Sequence, residues 1–463
     1  MLSIHFEPGQ KLYVQVYEKM RDAIVQGFFP AESQLPSYRT FADHLGVSIN
    51  TVKHAYQQLM DEGYIIAKER QGFFVDKIQL NIMPQSQAAL PNLLSEPSQG
   101  EGDWLYDFSP TQVDLTKLAR TSLAQCAHEG MLQSQSISVP ANGGERALKN
   151  EIALYLYKFR GVTTSAQNIL ITRGFENNLI VLDQLWDHPI YGIEDPGYPF
   201  SQMKILYDKH SIQRIPIDQY GFSVKDLERS PANIALVTPN HQFPTGIMMG
   251  IRRRQRLLKW AQEDPTRFII EDDYDSVYKY SGHPIAALKS MDQTDQVILS
   301  GSFSKILGKF MKISYLVLPD RLLDLYHERE RIKLTPSIFS QLTLARFMQE
   351  GYLDKHISRM NTYYRKKQKI VRDFLRGQEG VEVISSDAGL YLVIRLDRSL
   401  WNVDRIESLS EAHQILIHSL ARYHSGKDYQ DHFMIGLGGV PLDQLERGLS
   451  EWFHLLEEVK VKR

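Results

Sequence analysis

Ile298-Leu299-Ser300-Gly301-Ser302-Phe303-Ser304-Lys305 is an apolar run that ends in small hydroxyl residues and one lysine. Such a run reads as a buried strand breaking into a loop, and the loop presents Lys305 at the edge of a sheet. An amine with two serines within three residues suits a Schiff base beside a phosphate anchor, the hydroxyls holding phosphate oxygens. A surface lysine after a strand would look the same, so the reading depends on what lies upstream. Phe268-Ile269-Ile270-Glu271-Asp272-Asp273-Tyr274 is a second buried strand, and it ends in acids and a tyrosine. Pyridoxal phosphate (PLP) needs a carboxylate to keep its pyridine nitrogen protonated and a phenol or amide near its ring oxygen. Two strand ends in one parallel sheet deliver both groups to the same edge, where open α/β sheets bind their ligands.

Outward from these two strands the pattern repeats. Apolar runs at 168–172, 190–194, 234–238, 267–271, 296–300 and 313–318 alternate with helical stretches such as 252–263. This predicts an α/β domain over 105–463 with a mostly parallel sheet and right-handed crossovers. Arg252-Arg253-Arg254-Gln255-Arg256 on one such helix reads as a solvated face, with a phosphate-binding patch as the alternative. Beyond Pro336 long helices lead to Ala388-Gly389-Leu390-Tyr391-Leu392-Val393-Ile394, a strand of a smaller C-terminal subdomain at about 336–463.

The first 76 residues follow a different plan. Leu12, Val16, Met20, Ile24 and Val25 have a helical period that stops at Gly27. Ser37 is placed to cap a second helix, with Phe41, Ala42 and Leu45 inward and Gly46 ending it. Ser48 caps a third that runs to Met60, with Val52, Ala55, Tyr56 and Leu59 inward. Residues 64–67 and 72–75 read as a hairpin, giving a winged helix-turn-helix over 1–76. Ser48, Asn50, Thr51, Lys53 and His54 face outward near the start of the third helix, as base- and phosphate-reading groups do in the major groove. Ser37, Arg39, Lys68, Arg70 and Gly72 complete the expected DNA-binding set. Residues 1–76 hold seven Lys/Arg against nine Asp/Glu, so the usual basic footprint is missing in bulk. Binding must then come from local clustering of Arg39, Lys53, Lys68 and Arg70 and from two such units acting together. Residues 77–104, rich in Gln, Ser, Pro and Asn, read as a linker.

The whole chain has 463 residues, 43% of them hydrophobic and 23% charged, with a net charge of −2 and a single cysteine, Cys126. This is an ordinary soluble balance with room for two or three domains and no disulfide framework. No apolar run reaches the roughly 20 residues that span a bilayer, and the N-terminus lacks a signal-peptide pattern. A cytoplasmic protein with no membrane partner and no metal is expected.

Gly174, Asp195-Pro196-Gly197-Tyr198-Pro199, residues 238–246, residues 271–276 and Ser302-Phe303-Ser304-Lys305 occur in order. That order resembles the aminotransferase-like half of MocR-type transcription regulators, a branch of the GntR family, and residues 35–75 resemble the GntR DNA-binding module. The resemblance covers roughly residues 10–76 and 105–460. It implies a fold-type I PLP domain in which Lys305 forms the internal aldimine, Asp272 pairs with the pyridinium and Tyr274 bonds the ring oxygen. Tyr198 would stack on the ring, an arrangement worth roughly 1 kcal/mol beyond area burial. Ser302 and the backbone after Gly174 would hold the phosphate at a helix start. It further implies a domain-swapped homodimer on paired DNA half-sites.

Several residues depart from the pattern. Lys312 stands where arginine is usual, a point charge in place of a bidentate fork. Phe175-Glu176 stand where small and amide residues are usual, and Phe243 stands where aminotransferases carry Asn. Residues 431–439 contain no arginine to receive a substrate carboxylate; Arg422 and Arg395 are the nearest, neither in the expected frame. The expected function is a PLP-dependent regulator in which an amine-bearing effector forms an external aldimine in place of Lys305. A PLP-level sensor is the alternative. An active aminotransferase with a DNA-binding appendage is disfavoured by the missing arginine and the altered Asn, so at most residual transaminase activity is expected.

Overall fold

In the computed structural model, which describes residues 2, 4–7, 9–77, 104–134, 143–280, 286–329, 335–426 and 428–461, all six apolar runs between 168 and 318 form strands. They lie in one eight-stranded sheet in the order Ile169–Thr172, Ser314–Val317, Val297–Ser302, Phe268–Asp273, Ile234–Val237, Ile190–Asp195, Ser211–Asp218 and Gly221–Phe222. The central strands pair in parallel, whereas Ser314–Val317 runs antiparallel to both its neighbours and Gly221–Phe222 closes the far edge as a hairpin. Both faces are covered, which is why these strands read as continuous apolar runs. Alternate side chains enter different cores: Ile171, Leu299 and Tyr315 pack with Leu148 and Ile152, while Leu170, Ile298 and Leu316 pack with Leu179 and Met203.

A second, antiparallel sheet follows, ordered Val381–Val383, Tyr391–Leu396, His432–Gly436, His418–Ser419. Its core takes residues from Met360 onward on the Tyr352–Leu375 helix, from the Leu445–Leu456 helix, and also Tyr106 and Phe108. Leu344, Phe347 and Ile357 belong instead to the core of the large sheet. The arginine run is less exposed than its charge suggests. Arg254 is buried and donates to the carbonyls of Met249 and Pro239, while Arg253 and Arg256 pair with Asp218 and Glu228.

The chain divides into two compact units, Met1–Glu101 and Gly102–Arg463. In the first, helices Leu12–Val25, Tyr38–Leu45 and Ile49–Asp61 enclose Val16, Met20, Phe41, Val52, Tyr56 and Leu59. Strands Gln34–Leu35, Ile65–Lys68 and Gly72–Val75 form a small antiparallel sheet beside them. This is the expected winged helix-turn-helix. The linker expected at 77–104 falls, apart from its two end residues, outside the described residues. Among the described residues no helix is long and apolar enough to cross a membrane.

Candidate functional site

The Phe268–Asp273 strand places its three acids by simple alternation. Glu271 accepts from the backbone N–H groups of Leu288 and Lys289, both at 2.8 Å, and Asp273 pairs with buried Arg160 at 2.7 Å. Asn240 donates to both of these carboxylates. Asp272 is left to the other face, where it lines a cavity of about 320 Å³.

All nine residues expected at a cofactor site line that one cavity: Gly174, Phe175, Glu176, Tyr198, Asp272, Tyr274, Ser302, Lys305 and Lys312. Asp272 Oδ1 accepts from Ser300 Oγ at 2.9 Å and Oδ2 from the Tyr198 hydroxyl at 2.6 Å. Burial nevertheless pushes the Asp272 carboxyl up to about 7. Ser300 in turn accepts from Asn178 Nδ2 at 3.0 Å, on the helix Phe175–Asp183. That helix begins at Gly174, whose φ of +108° suits glycine, and a Cβ there would stand 3.1 Å from Lys312 Cε. Ser302, Ser304, Lys309 and Lys312 gather in the same cavity as the helix start.

Lys305 Nζ donates to the carbonyls of Pro110 at 3.2 Å and Thr111 at 3.1 Å. Burial lowers its ammonium to about 8, against the opposing attraction of Asp275. The segment that supplies those carbonyls is pinned three residues on. Asp114 accepts from fully buried Lys367 at 3.0 Å and from the Tyr363 hydroxyl at 2.7 Å. Lys367 also donates to the carbonyls of Leu437 and Val440. The fit is close enough that a Cβ on Gly438 would sit 2.0 Å from the Gln112 carbonyl oxygen.

Two expected tyrosines have partners within the protein. Tyr198 stacks on Phe243, with centroids 5.1 Å apart and planes 18° apart, and its hydroxyl is the one bonded to Asp272. Tyr274 lies 2.9 Å from His241 Nδ1 and 3.1 Å from the Tyr391 hydroxyl, and His241 Nδ1 is also 2.9 Å from Asp275. Burial raises both phenols well above their ordinary range. Ser300, Asn178, His241, Tyr391 and the two carbonyls escaped the sequence reading. Ser300 could have been found, since it lies two residues before Ser302 and shares its face. Pro110, Thr111 and Tyr391 carry no local signal. Arg422 pairs with Glu407 and Glu411, and Arg395 with Glu382, so neither serves the cavity.

In the winged-helix unit Ser37, Arg39, Ser48, Asn50, Lys53, His54, Lys68, Arg70 and Gly72 are exposed and Thr51 is half-buried. The Ser37 hydroxyl accepts from the Thr40 N–H and the Ser48 hydroxyl from the Thr51 N–H, both at 3.2 Å. These two serines act as helix caps. Asn50 and Lys53 are exposed on the first turns of the third helix, His54 there sets its ring edge-on to Tyr13 at 6.0 Å, and Lys68 lies over the Phe74 ring in the wing.

The fold and its two sites thus define a winged-helix regulator unit joined to an aminotransferase-type α/β domain. Residues 4–75 match the family model of bacterial regulatory proteins of the gntR family, and residues 114–450 match that of aminotransferases of class I and II. An uncharacterized HTH-type transcriptional regulator of Bacillus subtilis, YdeL, is 34% identical over 95% of this chain and 96% of its own length. The probable rhizopine catabolism regulatory protein MocR of Rhizobium meliloti is 27% identical over 97% and 94%. A Pyrococcus horikoshii kynurenine aminotransferase, solved in complex with PMP, superposes with a TM-score of 0.68 at 21% identity, over 81% of this chain and 95% of that one. The chain belongs to the MocR-type family of HTH transcriptional regulators, a gntR DNA-binding module with an aminotransferase class I and II domain.

Proposed function

We propose that this regulator binds operator DNA as a homodimer through its winged-helix units, holds PLP in the cavity around Lys305, and senses a primary amine there. When bound, PLP supplies an electrophilic carbonyl that condenses reversibly with primary amines. The convergence of Lys305, Asp272, Ser302 and Lys312 on one cavity carries the reading. The residues fit the group. Asp272 is an acid that burial holds at about 7, and a cationic ring nitrogen beside it would restore its charge. The start of the Phe175–Asp183 helix, Ser302 and Lys312 offer donors and positive charge to a phosphate.

Each residue would then have a task. Asp272, bonded here to the Tyr198 hydroxyl, would hold the ring nitrogen, Tyr274 would serve the ring oxygen, and Lys305 would be the amine with which an effector competes. The free Lys305 Nζ donates to the carbonyls of Pro110 and Thr111, so the segment fixed by Asp114 would register whether the lysine is engaged. On the DNA, Asn50, Thr51 and His54 read base edges while Arg39, Lys53, Lys68 and Arg70 meet phosphates. The weak basic balance of residues 1–76 calls for paired half-sites, and a swapped dimer in which each DNA-binding unit rests on the partner's large domain supplies the pairing.

The test is a titration of amines into PLP-loaded protein, with the visible cofactor band and operator affinity followed together. Both signals should change with the same midpoint. A change in the band with no change in DNA affinity would contradict regulation by the amine. Residues 1–80 alone should bind a half-site at least about 10²-fold more weakly than the full chain binds the pair.

A further inference from the structure

The charges of the cavity are unevenly placed, and this bears on which amine it takes; the inference rests on the amine-sensing reading above. The lysines that line the cavity, Lys305, Lys309 and Lys312, all follow closely on the Val297–Ser302 strand. Lys305 is the exchanging group. A phosphate monoester carries a charge of about −1.5 to −2, which Lys309 and Lys312 together balance. Glu176 adds a further negative charge on the same lining.

One part of the wall is aromatic, beside polar Asn178, Gln202 and Thr111. Tyr198, Phe243 and Tyr274 line it, and buried Tyr391, Leu420 and Met434 back it. Among the described residues, no arginine lines the cavity, and its lysines are Lys305, Lys309 and Lys312. The ionisable groups behind the rings are acids: Asp272, Asp275 and Glu194 all lie near enough to oppose ionisation of Tyr198. Asp275 is bonded to His241, and Glu194 accepts from Thr238 and Gln242. Arg422, the nearest outer cation expected from the sequence, is held by Glu407 and Glu411. A carboxylate brought against this wall would lose its water and meet no arginine, and the lysines of the lining are matched by the phosphate. An aromatic or alkyl group would gain contact with rings already stacked. Space is limited too, because about 320 Å³ is at the low end for a ligand pocket and the cofactor shares it.

We propose that the effector is a small primary amine without a carboxylate, its substituent apolar and by preference aromatic, packed on Tyr198 and Phe243.

Matched pairs test this on the full-length protein loaded with PLP and freed of excess cofactor: tyramine with tyrosine, phenethylamine with phenylalanine, isoamylamine with leucine. Half-saturation is read from the visible cofactor band. Each amine should half-saturate at a concentration at least about tenfold below that of its amino acid, the aromatic amines below isoamylamine. Amino acids that bind as tightly as their amines, or binding of amino acids that Lys309→Gln abolishes, would overturn the inference and leave amine sensing standing. Phe243→Leu, compared at equal cofactor occupancy, should erase the advantage of phenethylamine over isoamylamine; an undiminished advantage would contradict the assigned wall. Silence toward every amine and every amino acid overturns the amine-sensing reading itself, and this inference with it.

Discussion

Asn50 and Lys53 stand in solvent on the Ile49–Asp61 helix with no side-chain hydrogen bond among the described residues, whereas Asp272 is bonded to Tyr198 and Ser300, and Ser300 to Asn178. In the winged-helix unit the fold is built from the inward face of each helix, and the exposed residues proposed to read DNA are additions to it. In the large unit the fold and the candidate site share side chains. Substitutions of Asn50 or Lys53 should alter DNA binding and spare stability. Substitutions in the large unit should alter cofactor capture and stability together.

The strongest test of that contrast is Lys305→Ala. It should remove the visible cofactor band and the amine response completely, while the winged-helix unit keeps its helical signal and its operator contacts. A retained band would sink the assignment of Lys305. Next in size is Lys367→Ala, which strands Asp114 without its buried partner; removing one member of such a pair costs about 3–5 kcal/mol. Urea unfolding of the large unit reads this. Lys204→Ala, which removes an exposed i,i+4 pair with Asp208, should cost no more than about 0.5 kcal/mol.

Smaller effects sharpen the other side. Asn50→Ala should lose about 1–3 kcal/mol of discrimination at one operator position, with little change in melting temperature. Lys53→Ala should weaken all sequences alike and lower the salt dependence. Competition binding against single-base operator variants separates the two. Cofactor capture should follow pH, because the Lys305 ammonium sits at about 8, below the lysine norm. The neutral amine therefore grows about tenfold per unit as pH rises from 6 to 7 and levels off above about 8. Stopped-flow capture rates check this, and a rate still climbing through pH 10 would place the lysine in water. Last, Ser37→Ala and Ser48→Ala should each cost about 1 kcal/mol of stability in the winged-helix unit, as lost caps do. A large loss of DNA affinity with unchanged stability would mean that their exposed hydroxyls act on DNA and not as caps.

The strands from 168 to 318 were legible because both faces of the sheet are buried, which leaves uninterrupted apolar runs. Ser211–Asp218 was not, because only two of its residues, Ile215 and Ile217, are buried. The same logic divides the site. Asp272, Ser302 and Lys305 end strands and carry a local signal. The Pro110 and Thr111 carbonyls come from about 195 residues earlier in the chain, and no side chain marks a backbone acceptor. Tyr198 illustrates a subtler difference. Its place beside the site follows from the turn at Pro196-Gly197, but its bond to Asp272 depends on a strand 74 residues away. In the arginine run Arg252, Gln255 and Arg256 meet solvent as expected, and Arg254 alone is buried, against backbone carbonyls, which charge does not announce.

The central claim is that one lysine among the many in this chain captures the cofactor. Borohydride reduction of the PLP-loaded protein, followed by peptide mass mapping, tests it directly. The account predicts a single pyridoxyl adduct, on Lys305, that disappears in Lys305→Ala. An adduct on Lys309 or Lys312, or adducts spread over surface lysines, would contradict it.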